Sequence, residues 1–598
     1  MKPLSLFCAL LLGAGSALAA PELIVVNAKV TSFSSDKPLT AFAVEKGRIS
    51  AVAADAGSLL AGKDERTRVI DAGGRRVVPG LNDSHLHVVR GGRFYNLETR
   101  WEGIDNLQDA LALVSAQARR TPPGQWVRVV GGWTPYQFRE KRMPTVAELD
   151  AAAPDTPVFV LFLYSGGVMN HAAMKALNIT RDSKAPPGSR YERDADGNPT
   201  GVLTADPDPQ LLYTTIAKLP QLNAEEQYNS SRQFYRHLLS LGVTSVVDAG
   251  GGGHQFPKDY QASTRLAKEG ELPIRVAAYL FPQKPGEEFA QFTEWMKDYR
   301  PNQNLHHSVA QGYVIEGGGE LLVYSASDYE NFTSARPDLK KQAERDLEKV
   351  VRLHLRRGWP FRIHATYDES IERMLNVLER VNRSQPLSKV RWAFDHAETI
   401  SDRNLRRVKA LGGGIAVQGR MAFAGEYFIE RYGKEVARRA PPIRRMLELG
   451  IPVGLGTDGT RVASFNPWDS YYWAVSGRTV GGTELYGADN RLDRLTALRL
   501  FTQGSAWFSG EEKQKGDIAP GQLADFAILN HDILEVQEPE LRKTRALLTV
   551  MDGKVRYASA DFPDWQQPAL PVLPGWSPVN AAGATTTRST MDTTSAVQ

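Results

Sequence analysis

"VVPGLNDSHLHVVRGG", residues 77–92, begins as an apolar run and ends by offering His85 and His87. Residues i and i+2 of a β-strand share a face, so His-x-His sets two imidazoles side by side. Two adjacent buried imidazoles are costly unless something binds both, and a metal ion is the simplest such partner.

Downstream, apolar β-type runs alternate with amphipathic helical stretches: "GVTSVVDAG", "IRVAAYLF", "GYVIEGGG", "FRIHATYD", "RWAFDHAE", "GIAVQGR" and "PVGLGTDG". With the strand before His85 they make eight, the pattern of an α/β (β/α)8 TIM barrel, placed over residues 79–509. Extra material at about 90–240, including "GQWVRVVGGWTPYQF", reads as an insertion after the first barrel strand that folds over the mouth. Short β-type runs in 21–78 and 510–560 share hairpin signals, so the two chain ends are expected to build one small β-sandwich. Residues 561–598 are Pro-rich and then Ser/Thr-rich, which predicts an extended or disordered tail.

A 598-residue chain with 72 Lys+Arg against 68 Asp+Glu carries a net charge of only +4, with no dense basic run, which argues against nucleic acid as a partner. Residues 1–20, "MKPLSLFCALLLGAGSALAA", have an early lysine, a short apolar run and an Ala-x-Ala ending, as a cleavable export signal does. The run is shorter than the roughly 20 residues of a membrane span. No later segment reaches that length, so no membrane span is expected after cleavage, and a periplasmic location follows. Cys8, the single cysteine, lies inside this leader, leaving His and carboxylates as the metal donors.

Barrel active sites lie at the C-terminal ends of the strands. His85 and His87 end the first strand, His364 ends "FRIHATYD", His396 ends "RWAFDHAE" and Asp458 ends "PVGLGTDG". One spacing rule accounts for all five. His237, His306, His307, His354 and His531 read as structural, while His171 and His254 are open between substrate contact and plain surface.

With these residues in place, the sequence resembles the amidohydrolase superfamily of metal-dependent hydrolases, in its amidohydrolase-3 branch of N-substituted formamide deformylase-like enzymes. The resemblance runs from about Leu23 to Tyr557 through "PGLNDSHLH", "RIHATYDES", "DHAE", "VQGR", "LGTDG" and "GDIAPGQLADFAIL", in that order. It implies that His85 and His87 ligate a buried metal with Asp458, while His364 and His396 hold a more exposed one. Two departures stand out. Relatives commonly carry a carboxylated lysine on the fourth strand, whereas "GYVIEGGG" has none; Glu316 is the expected substitute, one pleat beyond Val314. In "LYSGGVMNHAAM" Asn170 is kept and His171 stands where relatives have Ser, which implies altered substrate recognition.

The expected chemistry is hydrolysis of a non-peptidic C–N bond by metal-activated hydroxide, with Asp458 as base and then acid. Zinc suits an all-nitrogen-and-oxygen site first, with manganese or iron as alternatives and one or two ions per chain. A small-molecule substrate is expected, and Asp368, Gln418, Arg420, Arg478, Trp133 and Tyr136 are further candidates around it. Competing readings are a metal-dependent lactonase or esterase, and a non-catalytic exported binding or regulatory protein on the same fold.

Overall fold

The computed structural model describes residues 20–206, 208–299, 308–310, 312–328, 332–333, 336 and 338–581. The leader reading falls on residues 1–19, outside the described residues, apart from Ala20.

Eight parallel strands form the central sheet: β1 (Leu81–Leu86), β2 (Val243–Asp248), β3 (Arg275–Leu280), β4 (Tyr313–Gly318), β5 (Phe361–Ala365), β6 (Trp392–His396), β7 (Gly414–Gln418) and β8 (Val453–Gly456). They lie in the order β8-β7-β6-β5-β4-β3-β2-β1, so each strand neighbours its successor in sequence. The ends of the sheet meet: the Asp458 N–H donates to His85 O at 2.8 Å, and the Thr457 N–H to Asp83 Oδ1 at 3.1 Å. The sheet is therefore a barrel, as the alternating pattern predicts. Its strands are buried along nearly their whole length, which is why they read as continuous apolar runs rather than alternating ones.

Helices wrap the outside, among them α1 (Val88–Phe94) and α2 (Ala224–Ser240). Asn223 caps α2, accepting from the Glu226 N–H while the Glu226 carboxylate accepts from the Asn223 N–H. One end of the barrel is plugged by Trp507 and Phe508, which pack with Val247, Ala277, Tyr279, Ala393 and Ala416. Tyr279 donates to Phe508 O at 2.8 Å. The functional side chains gather at the other end.

Both chain ends contribute to a β-sandwich. One sheet runs in the order Arg48–Ala53, Ala41–Glu45, Leu23–Val26, Arg68–Asp71; the other runs Lys29–Val30, Arg76–Pro79, Phe526–Leu529, Ala546–Met551, Lys554–Ala558. Phe42 and Phe526 meet edge to face at 4.9 Å in the shared core. Between β1 and α2 a separate five-stranded sheet forms, in the order Ser189–Arg193, Pro199–Ala205, Gly166–Met169, Val158–Phe162, Val127–Val130. It touches the loop after β8 closely: a side-chain carbon on Gly131 would fall 2.1 Å from Arg461 O.

The Pro-rich stretch is extended but pinned as far as residue 581, rather than disordered. Asn229 of α2 donates to Pro571 O at 2.7 Å and accepts from the Leu573 N–H at 2.8 Å. Asn96 donates to Leu573 O at 2.8 Å, and Ser577 donates to Asn96 O at 2.7 Å. The hydrophilic tail composition hid this, because backbone carbonyls rather than side chains make most of the contacts.

Candidate metal centre

The ends of β1, β4, β5, β6 and β8 bring His85, His87, Glu320, His364, His396 and Asp458 together, all buried. Donor atoms within each of three groups, His85/His396/Asp458, His85/His87/Glu320 and Glu320/His364/His396, lie within 4.8 Å of one another. His87 Nε2 is 3.1 Å from Asp458 Oδ1, and His85 Nε2 is 3.6 Å from the same oxygen. Glu320 Oε2 sits 3.2 Å from His364 Nδ1, 3.1 Å from His396 Nε2 and 3.5 Å from His85 Nε2, a bridging position between the two histidine pairs. The neighbouring imidazoles of His85 and His87 outweigh burial and hold the Asp458 carboxyl well below the ordinary carboxylate range; the histidines around Glu320 do the same for it. His85 Nε2 and His396 Nδ1, both buried, have no hydrogen-bond partner among the described residues. Four imidazoles, two ionised carboxylates and orphaned ring nitrogens aimed inward suit a divalent cation.

The backbone is bent to make this cluster. His396 has φ 77° and Asp458 φ 58°, left-handed conformations that a non-glycine residue keeps only where its surroundings hold it. Behind the ligands lies a supporting layer. Asp395 Oδ1 is 3.0 Å from His85 Nδ1 and forms a buried ion pair with Arg362, which also donates to Ser84 O at 2.7 Å. His87 Nδ1 is 2.7 Å from Gly250 O. Asp328 accepts from the Thr366 and Tyr367 N–H groups and lies 3.4 Å from His364 Nε2. Such partners fix the tautomer and aim of each imidazole.

The expectation for Glu316 is corrected. Its carboxyl lies toward the plugged end of the barrel, near Gly510, where burial and then Glu511 push its pKa up to about 8 against the pull of Arg391 and Lys515. Glu320, four residues on and two past the end of β4, is the carboxylate that reaches the histidines at the mouth. The run Gly317–Gly319 lets the chain pass that far against β5: a side-chain carbon on Gly317 would lie 2.2 Å from Pro360 O, and one on Gly319 2.5 Å from Arg362 O. The sequence showed a carboxylate near the end of β4 but not where the strand stops.

Other candidates separate cleanly. Arg420 is buried beside the centre, its Nη2 3.1 Å from Glu398 Oε1 and its Nη1 3.8 Å from Asp458 Oδ2. Gln418 is buried at the end of β7 and donates to Ala416 O. Asp368 instead ties two loops together, accepting from the Ser401 N–H and Asn404 Nδ2 at 2.7 Å each. Asn170 is structural: it caps the helix His171–Ala176 and donates to Ala153 O and Thr156 O. His171 is exposed on Asp150, and Arg478 is at the surface on Gly482 O and Glu484. Trp133 is packed among Trp101, Phe138 and Phe162, and Tyr136 is bonded to Glu430. His171, at the start of its helix, and Arg478 therefore stand away from the cluster. His254, left open by sequence, is buried in the loop after β2, close to His87. Glu320, Asp395, Arg362 and Asp328 were missed, although Asp395 lies within the "DHAE" motif.

Residues 68–557 match the model of the amidohydrolase family. N-substituted formamide deformylase of Arthrobacter pascens is 26% identical over 553 residues, covering 90% of this chain and 98% of its own. The protein LONG AFTER FAR-RED 3 of Arabidopsis thaliana is 24% identical over 559 residues, covering 90% and 91%. Among solved structures, an uncharacterized metal-dependent hydrolase from Pyrococcus horikoshii OT3 aligns with TM-score 0.60 at 23% identity, over 86% of this chain and 99% of that one, and so shares its fold.

Proposed function

This chain belongs to the amidohydrolase family and is a metal-dependent hydrolase, and on that premise we propose that it cleaves an amide or related N-acyl bond of a small molecule. The observation carrying the proposal is the convergence of four strand-end histidines with Glu320 and Asp458 in one buried cluster. The formamide deformylase likeness favours a C–N bond as the target. Zinc is the proposed metal, one or two ions per chain, and His85, His87, Glu320, His364, His396 and Asp458 are the residues that would hold it. When bound it supplies Lewis acidity and lowers the pKa of water at the site.

The chain's own groups do the rest. Asp458 turns Oδ1 to the imidazoles and keeps Oδ2 3.9 Å from His396 Nδ1 and 3.8 Å from Arg420 Nη1. Oδ2 is thus the atom placed to receive a proton from the attacking water. As the water oxygen bonds to the carbonyl carbon and the C–N bond breaks, the same proton passes to the leaving nitrogen, giving a carboxylic acid and an amine, whose remaining acid proton then moves to the amine to leave carboxylate and ammonium. His85 and His87 keep Asp458 ionised until then, and Arg420, anchored by Glu398, lies beside Oδ2. Export to the periplasm is proposed from the leader in residues 1–20.

Elemental mass spectrometry of the purified protein, with turnover of N-formyl and N-acetyl amines against matched esters, tests the reading. Metal in the wild type, faster amide cleavage, and an Asp458→Asn variant that keeps metal but loses turnover are expected. An active Asn variant or a preference for esters overturns it.

A further inference from the structure

Two buried arginines beside the metal centre have no carboxylate at ion-pair distance among the described residues. Arg90, from α1, is 3% exposed, and Arg461, from the loop after β8, is 6% exposed. Arg90 Nη1 donates to Tyr164 OH at 3.3 Å, but its Nε and Nη2 have no hydrogen-bond partner among the described residues. Neither guanidinium has a carboxylate within 4 Å among the described residues, whereas Arg93, Arg100, Arg362 and Arg420 each have one within 3.1 Å. A buried cation without a counter-ion is among the costlier features a fold can hold.

Both groups lie against one pair of rings, Arg90 Nη1 at 3.3 Å from Tyr164 OH and Arg461 at 5.8 Å from the Tyr213 ring, and their like charges repel, Arg90 lowering the pKa of Arg461 after burial itself. Arg90 adjoins the metal ligands: a side-chain carbon on Gly251, φ 139°, would lie 3.3 Å from His87 Nδ1, 3.4 Å from Arg90 Nη1 and 3.7 Å from His254 Nδ1. His254 adds another buried nitrogen, Nε2, with no hydrogen-bond partner among the described residues. Outside stand the half-buried rings of Tyr164 and Tyr213, 5.0 Å apart, both from the inserted segment; Arg461 lies 5.8 Å from the Tyr213 ring.

We propose that Arg90 and Arg461 form a carboxylate-binding subsite, so that the substrate is an N-acyl compound carrying a carboxylate close to its scissile bond. The proposal rests on the hydrolase reading above and adds the substrate class. Planar guanidinium forks match a carboxylate, and a carboxylate would cancel the repulsion between the two cations. Tyr164 and Tyr213 would cover the substrate's apolar part, which gives the insertion a role in specificity.

The test uses the metal-loaded full chain with two arms. In the first, calorimetry compares 3-phenylpropionate with the neutral 3-phenylpropionamide. We expect Arg461→Met and Arg90→Met to weaken phenylpropionate at least about tenfold, as loss of a charged hydrogen bond does. Arg461→Lys should fall between, with phenylpropionamide affinity and metal content unchanged. In the second, turnover compares N-acetyl-DL-phenylalanine with its decarboxylated twin, N-acetyl-2-phenylethylamine. Wild type should prefer the acid, and the Met variants should lose that preference by losing the acid alone. Phenylpropionate affinity that is indifferent to both arginines means the anion sits on the metal only, and overturns the subsite. Arginine-dependent binding with neither amide cleaved keeps the subsite and sinks the hydrolase reading. Equal cleavage of both amides by all variants does the reverse.

Discussion

Asp395 Oδ1 lies 3.0 Å from His85 Nδ1, which turns the other nitrogen of that imidazole, Nε2, toward Glu320 and Asp458. Asp395 is fully buried and held ionised by Arg362, so the orientation is built into the core rather than acquired on binding. Asp395→Asn should weaken metal affinity by about 10–100-fold, the usual cost of losing such a partner. Competition with a chelator measures it, and unchanged affinity would show that His85 is held by packing alone.

The two glutamates of the fourth strand region should behave oppositely. Glu320→Gln removes the oxygen shared by His85, His364 and His396, and should lower metal content by at least one ion per chain. Glu316→Gln should leave it unchanged. Elemental mass spectrometry on both variants decides.

Glu316 also carries a pH dependence. Its pKa is raised from 4.5 to about 8 by burial and by Glu511. Between those values the folded chain keeps a proton that the unfolded chain has released, so this group's contribution to stability falls as pH rises, and the loss levels off above about 8. Glu316→Gln has no proton to lose. Its melting temperature relative to wild type should therefore climb from about pH 5 to about pH 8, by a shift worth on the order of a few kcal/mol at most. A pH-independent difference would show that the carboxyl is already ionised in the fold.

The pinned Pro-rich stretch should contribute to stability. Asn229→Ala removes both bonds to residues 571 and 573, at a cost of about 0.5–1.5 kcal/mol each. Thermal unfolding and protease cutting near Gln566–Trp576 report it. Resistance equal to wild type would mean that Asn96 and Ser577 hold the segment without it.

The barrel and five of the six clustered donors were legible because strand-end position is a periodic property, and period is what a sequence displays. His85, His87, His364, His396 and Asp458 each end an apolar run. Glu320 follows three glycines that carry no hydropathic signal, so the place where β4 meets its neighbours could not be read. Arg90 stood inside the quoted stretch, yet nothing in a sequence shows which arginines lack a carboxylate. Asn170, His171 and Arg478 were offered by loops, where no period constrains direction.

The sandwich has a consequence for how the molecule comes to exist. Arg76–Pro79 pairs with Phe526–Leu529, antiparallel, across some 450 residues of intervening chain. During synthesis that edge waits, apolar and unpaired, until nearly the whole barrel has been made, and such an edge invites wrong partners. The last step of folding is therefore the seam between the two termini, and a chain that stops short of residue 526 leaves it open.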